Sequence, residues 1–335
     1  MFNRIAIVGM GLMGGSIWKR LAADGYPVCG YDINPETRVA ARAIAATMSN
    51  RDADRIASTI PAAITGADLV IIAVATPEVE GVLRDISAAG YRGILTDITS
   101  IKAPVEHYIR IKHRGTRWVG SHPIVSFENA GFAPSDAHLF DGCPWALCID
   151  PTTKSSSALA DWLALAKLLT DLRYRVMPMT AIDHDVSLAR ISHIPHLVAS
   201  AVARTAIAGP VAPVALSLAM TEDPFAQVTE VARTKPDRTA EFCAYNLAAL
   251  DAELDNVIEQ LNVARHIMRR RGAVTELSRW FEPAHRARQA WPALEGAPQR
   301  FSASLDQLLA IGRDGGWVTA VHGGEITAVR PRPRF

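Results

Sequence analysis

At 335 residues the chain is long for a single hydrophobic core, so two compact domains, each burying its own interior, are expected. Lys plus Arg number 35 and Asp plus Glu 34, a balance that gives no reason to expect nucleic acid, an anionic membrane or an acidic tail; the expected partners are small molecules and other protein chains. The N-terminus enters an apolar strand without a secretory leader, and no apolar run approaches the roughly 20 residues of a membrane span, so the expected location is the cytoplasm.

Arg4-Ile-Ala-Ile-Val8 is short, apolar and branched, the pattern of a strand covered on both faces, and Ser16 to Ala23 follows with helical spacing. Tyr26 to Tyr31 reads as a second strand ending at Asp32, and Ala67 to Val74 as a third buried strand closed by Thr76-Pro77. Gly93 to Asp97, Trp118 to Gly120, Trp145 to Ile149 and Arg173 to Met177 continue the series with helical segments between several of them. This alternation predicts an α/β domain, a doubly wound Rossmann sheet, over residues 1–180. From Ala181 the texture changes to Ala- and Leu-rich helical stretches, Val186 to Ala206 and Ala240 to Arg270, which predicts a mostly α-helical domain over 181–280. Ala248 to Leu261 carries apolar residues at three- and four-residue intervals and is read as a subunit interface, with intrachain core as the alternative, so a homodimer through the helical domain is expected. Residues 281–335 read as a small C-terminal extension in which Trp317 to His322, Gly323-Gly324 and Glu325 to Arg330 form a β-hairpin. Cys29, Cys143, Cys148 and Cys243 form no CxxC pair and no zinc spacing with the histidines, which predicts buried free thiols and no metal site.

Gly9-Met-Gly11-Leu-Met-Gly14 follows the first strand and opens the first helix, the context that makes GxGxxG a specific dinucleotide signal. The first glycine permits the tight turn, the second the approach of a pyrophosphate to the backbone, and the third close packing of helix on strand. Asp32 sits where a carboxylate accepts hydrogen bonds from the adenosine ribose and would repel a 2′-phosphate, so the cofactor is read as NAD rather than NADP. Arg38 lies close enough in sequence to weigh against that choice, but it is read first as a solvated helix arginine. The residues expected to line the cofactor are Gly9, Gly11, Leu12, Met13, Gly14, Asp32, Ala75 and Thr76, with Ser100.

Three further segments gather polar residues that ordinary loops and helices do not require: Thr96-Asp-Ile-Thr-Ser-Ile-Lys102, Gly120-Ser-His-Pro-Ile-Val-Ser-Phe-Glu-Asn-Ala-Gly-Phe132, and Asp183-His-Asp-Val-Ser-Leu-Ala-Arg-Ile-Ser-His-Ile-Pro-His196. Together with the glycine motif, and in this order, they resemble the prephenate and arogenate dehydrogenase family of tyrosine biosynthesis from Arg4 to about Arg270. The resemblance implies NAD-dependent oxidative decarboxylation of a cyclohexadienol. It places at His122 the histidine that hydrogen-bonds the substrate's ring hydroxyl and acts as general base, and at Ser100 the serine that helps hold that hydroxyl. Ser100 is equally suited to cap the helix that follows it. The resemblance puts Ser192, His193 and His196 beside the substrate, with His196 the expected contact and His193 divided between site and packing. His184 and Asp185 are expected to cap a helix or support the site from behind, and Glu128 matches a family carboxylate.

The chain departs from the family in two places. Val125-Ser126 and Phe127 replace an Ala-Gly and a small polar residue, which predicts a bulkier pocket. The signature Phe-Arg-Asp-Thr-Thr-Arg-Ile-Ala corresponds to Phe225-Ala-Gln-Val-Thr-Glu-Val-Ala232, so Ala226 and Glu230 stand where arginines are expected. Glu230 would repel the substrate carboxylate that an arginine pairs with, unless Arg190, Arg233, Lys235 or Arg238 compensates; a solvated helix face is the simpler reading of those four. The exchange suggests a substrate bearing an amine, such as arogenate or a 4-amino-4-deoxy relative of prephenate. A β-hydroxyacid-type dehydrogenase would have no use for the two His-Pro segments, and a non-catalytic nucleotide-binding protein none for His122 and Ser100.

Overall fold

The structure, a computed structural model, describes residues 2–48, 55–125, 129–152, 156–209, 211–220, 223–332 and 334. They fall into two compact units, one holding Met1–His184 with Leu294–Arg332 and the other Asp185–Ala293.

The first unit begins with β1 (Ile5–Val8), α1 (Leu12–Ala23), β2 (Val28–Tyr31), α2 (Pro35–Ala45), α3 (Ile60–Ile64), β3 (Leu69–Ile72), α4 (Val79–Ala88), β4 (Ile94–Asp97), α5 (Ala103–Lys112) and β5 (Arg117–Trp118). The five strands form a parallel sheet in the order β2-β1-β3-β4-β5. Alternate residues face opposite cores: Ile5 and Ile7 pack with Trp18 and Leu21 of α1, while Ala6 and Val8 pack with Leu83 and Ile86 of α4 and Ile109 of α5. Local chemistry starts the helices as well. Asn34 accepts the Glu36 amide at 2.8 Å with Pro35 in the first turn of α2, a position where the missing N–H costs nothing.

The sheet does not continue beyond β5. β6 (Ser121–Pro123), β7 (Pro144–Cys148) and β8 (Arg175–Met179), with α6 (Ser156–Asp171) between the last two, belong to a second, six-stranded sheet. β6 runs antiparallel to β7, so the progression of parallel strands ends there, which corrects the expectation of a single doubly wound sheet through residue 180. Short apolar strands state that they are buried but not in which sheet. This first stretch of the unit stops within α7 (Ala181–Leu188), at His184, the last residue before the boundary.

The second unit is mostly helical. After α7 come a π turn (Ala189–His193), α8 (Ile194–Ala206), α9 (Val211–Ala219), α10 (Asp223–Thr229), a 3-10 turn (Glu230–Arg233), α11 (Pro236–Tyr245), α12 (Leu247–Met268) and α13 (Ala273–Ala290). α13 contains the first ten residues of the supposed C-terminal extension. The remainder returns to the first unit as β9 (Leu294–Glu295), β10 (Gln299–Ser302), α14 (Leu305–Arg313), β11 (Trp317–His322), β12 (Glu325–Val329) and β13 (Pro331–Arg332). The second sheet runs β10-β12-β11-β8-β7-β6, so residues 281–335 are not a separate extension. A Cβ on Gly312 of α14 would lie 1.7 Å from the Pro178 carbonyl oxygen, so only glycine lets this helix seat directly on β8. Cys29, Cys143 and Cys148 are buried thiols and Cys243 is half-buried; burial pushes the Cys143 thiol up to about 12. Among the described residues no helix is long and apolar enough to cross a membrane.

Candidate active site

In the parallel sheet the chain leaves β1 for β2 on one side and reaches β3 on the other, and open sheets bind ligands outside the carboxyl ends of strands at such a reversal. The glycine loop lies there, and its three glycines answer to different neighbours. Gly9 has φ +99°, and a Cβ on it would sit 2.5 Å from the Ala73 carbonyl oxygen; one on Gly14 would sit 1.9 Å from the Gly9 oxygen. Gly11 has nothing within 4 Å of the same position and caps α1 without a side-chain hydrogen bond, leaving the helix N-terminus open to an anion. Gly9 and Gly14 are therefore demanded by the fold, and the open face at Gly11 suits an approaching pyrophosphate.

Asp32 accepts the Met10 amide at 2.7 Å through one carboxylate oxygen and the Asn34 amide at 2.8 Å through the other, which ties the glycine loop to the end of β2. Each oxygen keeps acceptor capacity for a ribose hydroxyl. Met10 fits because Gly30 has no side chain: a Cβ there would come 2.6 Å from the Met10 sulfur. Arg38 is not a solvated helix arginine. Its Nη1 donates to the Asp32 and Ile33 carbonyls at 2.7 and 2.9 Å, and its guanidinium lies over the Tyr31 ring. Leu12 is buried, Met13 half-buried and Ala75 exposed at the start of the 3-10 turn Thr76–Glu78 that holds Thr76. The glycine loop, Asp32 and the β3 end are thus suited to a dinucleotide.

After β4, Ser100 is half-buried in the bend before α5, between residues of a buried polar network. Lys102 forms an ion pair with Asp97 and donates to the Ser121 carbonyl at 2.8 Å; Thr99 donates its hydroxyl to Asp97, and Ser121 donates its own to the Asp97 carbonyl at 2.7 Å. These bonds fasten the Ser100 bend to β6, the strand that carries His122. Asp97 Oδ1 is buried with no hydrogen-bond partner among the described residues.

His122 is buried on β6 opposite Ala146 of β7. Its Nδ1 lies 3.0 Å from Nε2 of His184, and the rings meet edge-on with centroids 5.2 Å apart. His184 is accordingly more than a helix cap, because it touches the candidate base. Ser126, Phe127 and Glu128 lie outside the described residues. The loop that follows them is anchored on α1: Phe132 closes on Gly15, where a Cβ would come 2.7 Å from its ring, and the Asp136 amide donates to Ser16 Oγ at 2.9 Å. Lys19 donates to the Ser135 carbonyl at 2.6 Å and lies over the Phe132 ring; burial lowers its pKa, opposed by Asp136.

In the second unit, the π turn widens the helix just ahead of Pro195, which has no N–H and whose ring would crowd the carbonyl four residues back in a regular α-helix. His193 is buried: Asn246 Nδ2 donates to its Nδ1 at 3.1 Å and to the Asp185 carbonyl at 2.8 Å, and the Phe242 ring stacks on it at 4.6 Å. His196 donates Nδ1–H to the Ser192 carbonyl at 2.8 Å, which makes its Nε2 the acceptor for the Thr234 hydroxyl at 3.3 Å. Thr234 ends the 3-10 turn on which Glu230 stands exposed, paired with Arg233 at 3.3 Å, and Ala226 is exposed on α10. Arg190 pairs with Glu253 at 2.7 Å, which holds that carboxyl below the usual range.

Sequence reasoning assigned nothing to Lys102, Phe132, Phe242 or Asn246. Only Lys102 carried a signal: a lysine amid apolar residues, five positions after an aspartate.

A family model described as prephenate dehydrogenase, nucleotide-binding domain, matches residues 19–175, and one described as prephenate dehydrogenase, dimerization domain, matches 180–283. The prephenate dehydrogenase of Bacillus subtilis is 26% identical over 298 residues, 87% of this chain and 77% of that protein. The cyclohexadienyl dehydrogenase of Zymomonas mobilis is 29% identical over 59% of this chain and 65% of its own length. A solved prephenate dehydrogenase from A. aeolicus, in complex with hydroxyphenyl propionate and NAD+, superimposes with a TM-score of 0.72 at 25% identity, over 86% of this chain and 98% of that one.

Proposed function

Because the chain belongs to the prephenate dehydrogenase family, we propose that it catalyses NAD-dependent oxidative decarboxylation of a cyclohexadienol of the prephenate and arogenate type, with His122 as general base. The observation that carries this reading is His122 itself: a buried imidazole on β6, with one ring nitrogen engaged by His184, in the same unit as an open glycine loop. When bound, NAD accepts the hydride from the ring carbon that bears the hydroxyl. His122 takes the hydroxyl proton as the carbonyl forms, and Ser100 holds the same oxygen. The new ketone is conjugated to the carbon bearing the carboxylate. That carbon–carbon bond then breaks, carbon dioxide leaves, and its electron pair aromatises the ring while the oxygen recovers the proton from His122. The balance is one NAD reduced and one carbon dioxide released for each phenol formed. The protein's contribution is orientation and removal of a single proton.

Glu230, standing where the family signature carries an arginine, favours a substrate with an ammonium group over one carrying only carboxylates, although Arg233 beside it at 3.3 Å partly offsets its charge. Turnover assays with prephenate, arogenate and 4-amino-4-deoxyprephenate test both parts. At least one is expected to reduce NAD with release of carbon dioxide. An aminated substrate should exceed prephenate in kcat/KM by ~10-fold or more, and Glu230→Ala should narrow that gap. Reduction of NAD by none of them defeats the enzymatic reading; efficient use of prephenate unaffected by Glu230→Ala defeats the amine reading alone.

The second unit is proposed to form a homodimer. α12 is 22 residues long with Leu250 its one buried residue, and it exposes Ile258, Leu261 and Val263 within the stretch matched by the dimerization-domain model.

A further inference from the structure

We propose that His184 is a positioning residue for the proton transfer assigned to His122, holding that ring in the tautomer whose Nε2 can accept a proton. The proposal rests on the reading of His122 as the base. Both histidines are held at the backbone by their elements. β6 sets His122 by its register with β7 and by the Lys102 and Asp97 contacts to Ser121, while the His184 amide donates to the Thr180 carbonyl at 3.0 Å at the start of α7.

Two imidazole nitrogens 3.0 Å apart share one proton. If His184 donated from Nε2, His122 would carry its proton on Nε2 and could not act as a base there. If His122 donates from Nδ1, its Nε2 keeps a lone pair and His184 carries its own proton on Nδ1. Only the second arrangement does the chemistry. It also improves during the step: once His122 has taken a proton, its Nδ1–H is a charged donor to the same Nε2 lone pair, and charge-assisted bonds are the stronger class. A second proton, on His184 Nε2, would set N–H against N–H, so the pair holds one added charge. Among the described residues, the titratable groups on the surrounding elements include Asp97 and Lys102, which pair with each other, Cys148 on β7, and Asp183 and Asp185 on α7.

The test compares His184→Gln, whose side-chain oxygen can still accept from His122, with His184→Leu, which cannot. In 15N-histidine spectra of the free protein, wild type and His184→Gln should show His122 protonated on Nδ1, and His184→Leu a mixture of tautomers. His184→Leu should lower kcat about 10- to 100-fold with the KM for NAD nearly unchanged, and should move the acidic limb of the kcat profile to lower pH, because the imidazolium loses its acceptor. His184→Gln should restore most of both. If His184→Leu leaves the His122 tautomer and the pH profile as they were, or if the two variants lose the same activity in step with the same loss of Tm, the positioning role is overturned. Full turnover by His122→Asn would instead overturn the base assignment beneath it.

Discussion

Gly11 and Gly14 are both glycine for different physical reasons, and the difference can be measured. Gly14 faces backbone, so Gly14→Ala forces the β1–α1 turn apart at a cost of about 2 kcal/mol or more, seen as a lower Tm. Gly11 faces open space, so Gly11→Ala should leave the Tm of the free protein within about a degree while weakening NAD binding ~10-fold in a fluorescence titration, because the methyl group stands where the pyrophosphate approaches. Unchanged NAD affinity in Gly11→Ala would remove the ligand as the reason for that glycine. At this scale much was legible. The glycine turn and Asp32 act through residues near in sequence, so spacing reveals them. His184 was legible as a conspicuous residue but not as the neighbour of His122, which lies 62 positions away.

Among elements, the decisive connection is the one fastening the end of β4 to β6. The Lys102–Asp97 pair is fully buried, and removing one partner leaves an uncompensated charge. Lys102→Met is expected to cost ~3–5 kcal/mol in urea unfolding, and Asp97→Asn combined with Lys102→Met less than the sum of the two single changes. Additive losses would show that the two charges do not act as a pair. The helix around Ser192 to His196 teaches a related lesson. The helical spacing from Val186 to Ala206 runs through Pro195 without a mark; in the structure the helix passes it by a π turn, whose His193 packs against Asn246 and Phe242.

For the whole molecule, the exposed apolar residues of α12 predict association. Light scattering should give the mass of two chains, and Leu261→Asp with Ile258→Asp should give one chain with unchanged helical circular dichroism. A wild-type mass of one chain, or a double variant that stays dimeric, would show that this face is not the interface. The sequence by itself determined the Rossmann beginning, the helical texture after residue 181 and the kinship with prephenate dehydrogenases, because strand and helix periodicity, glycine turns and short motifs are local properties of the chain. The tertiary structure alone decided that β10, β11 and β12 complete the sheet of β6, β7 and β8, that Lys102 serves Asp97 and Ser121, and that His122 meets His184. A buried strand fits any sheet that covers it, and a side chain's partner is fixed only when distant segments pack together.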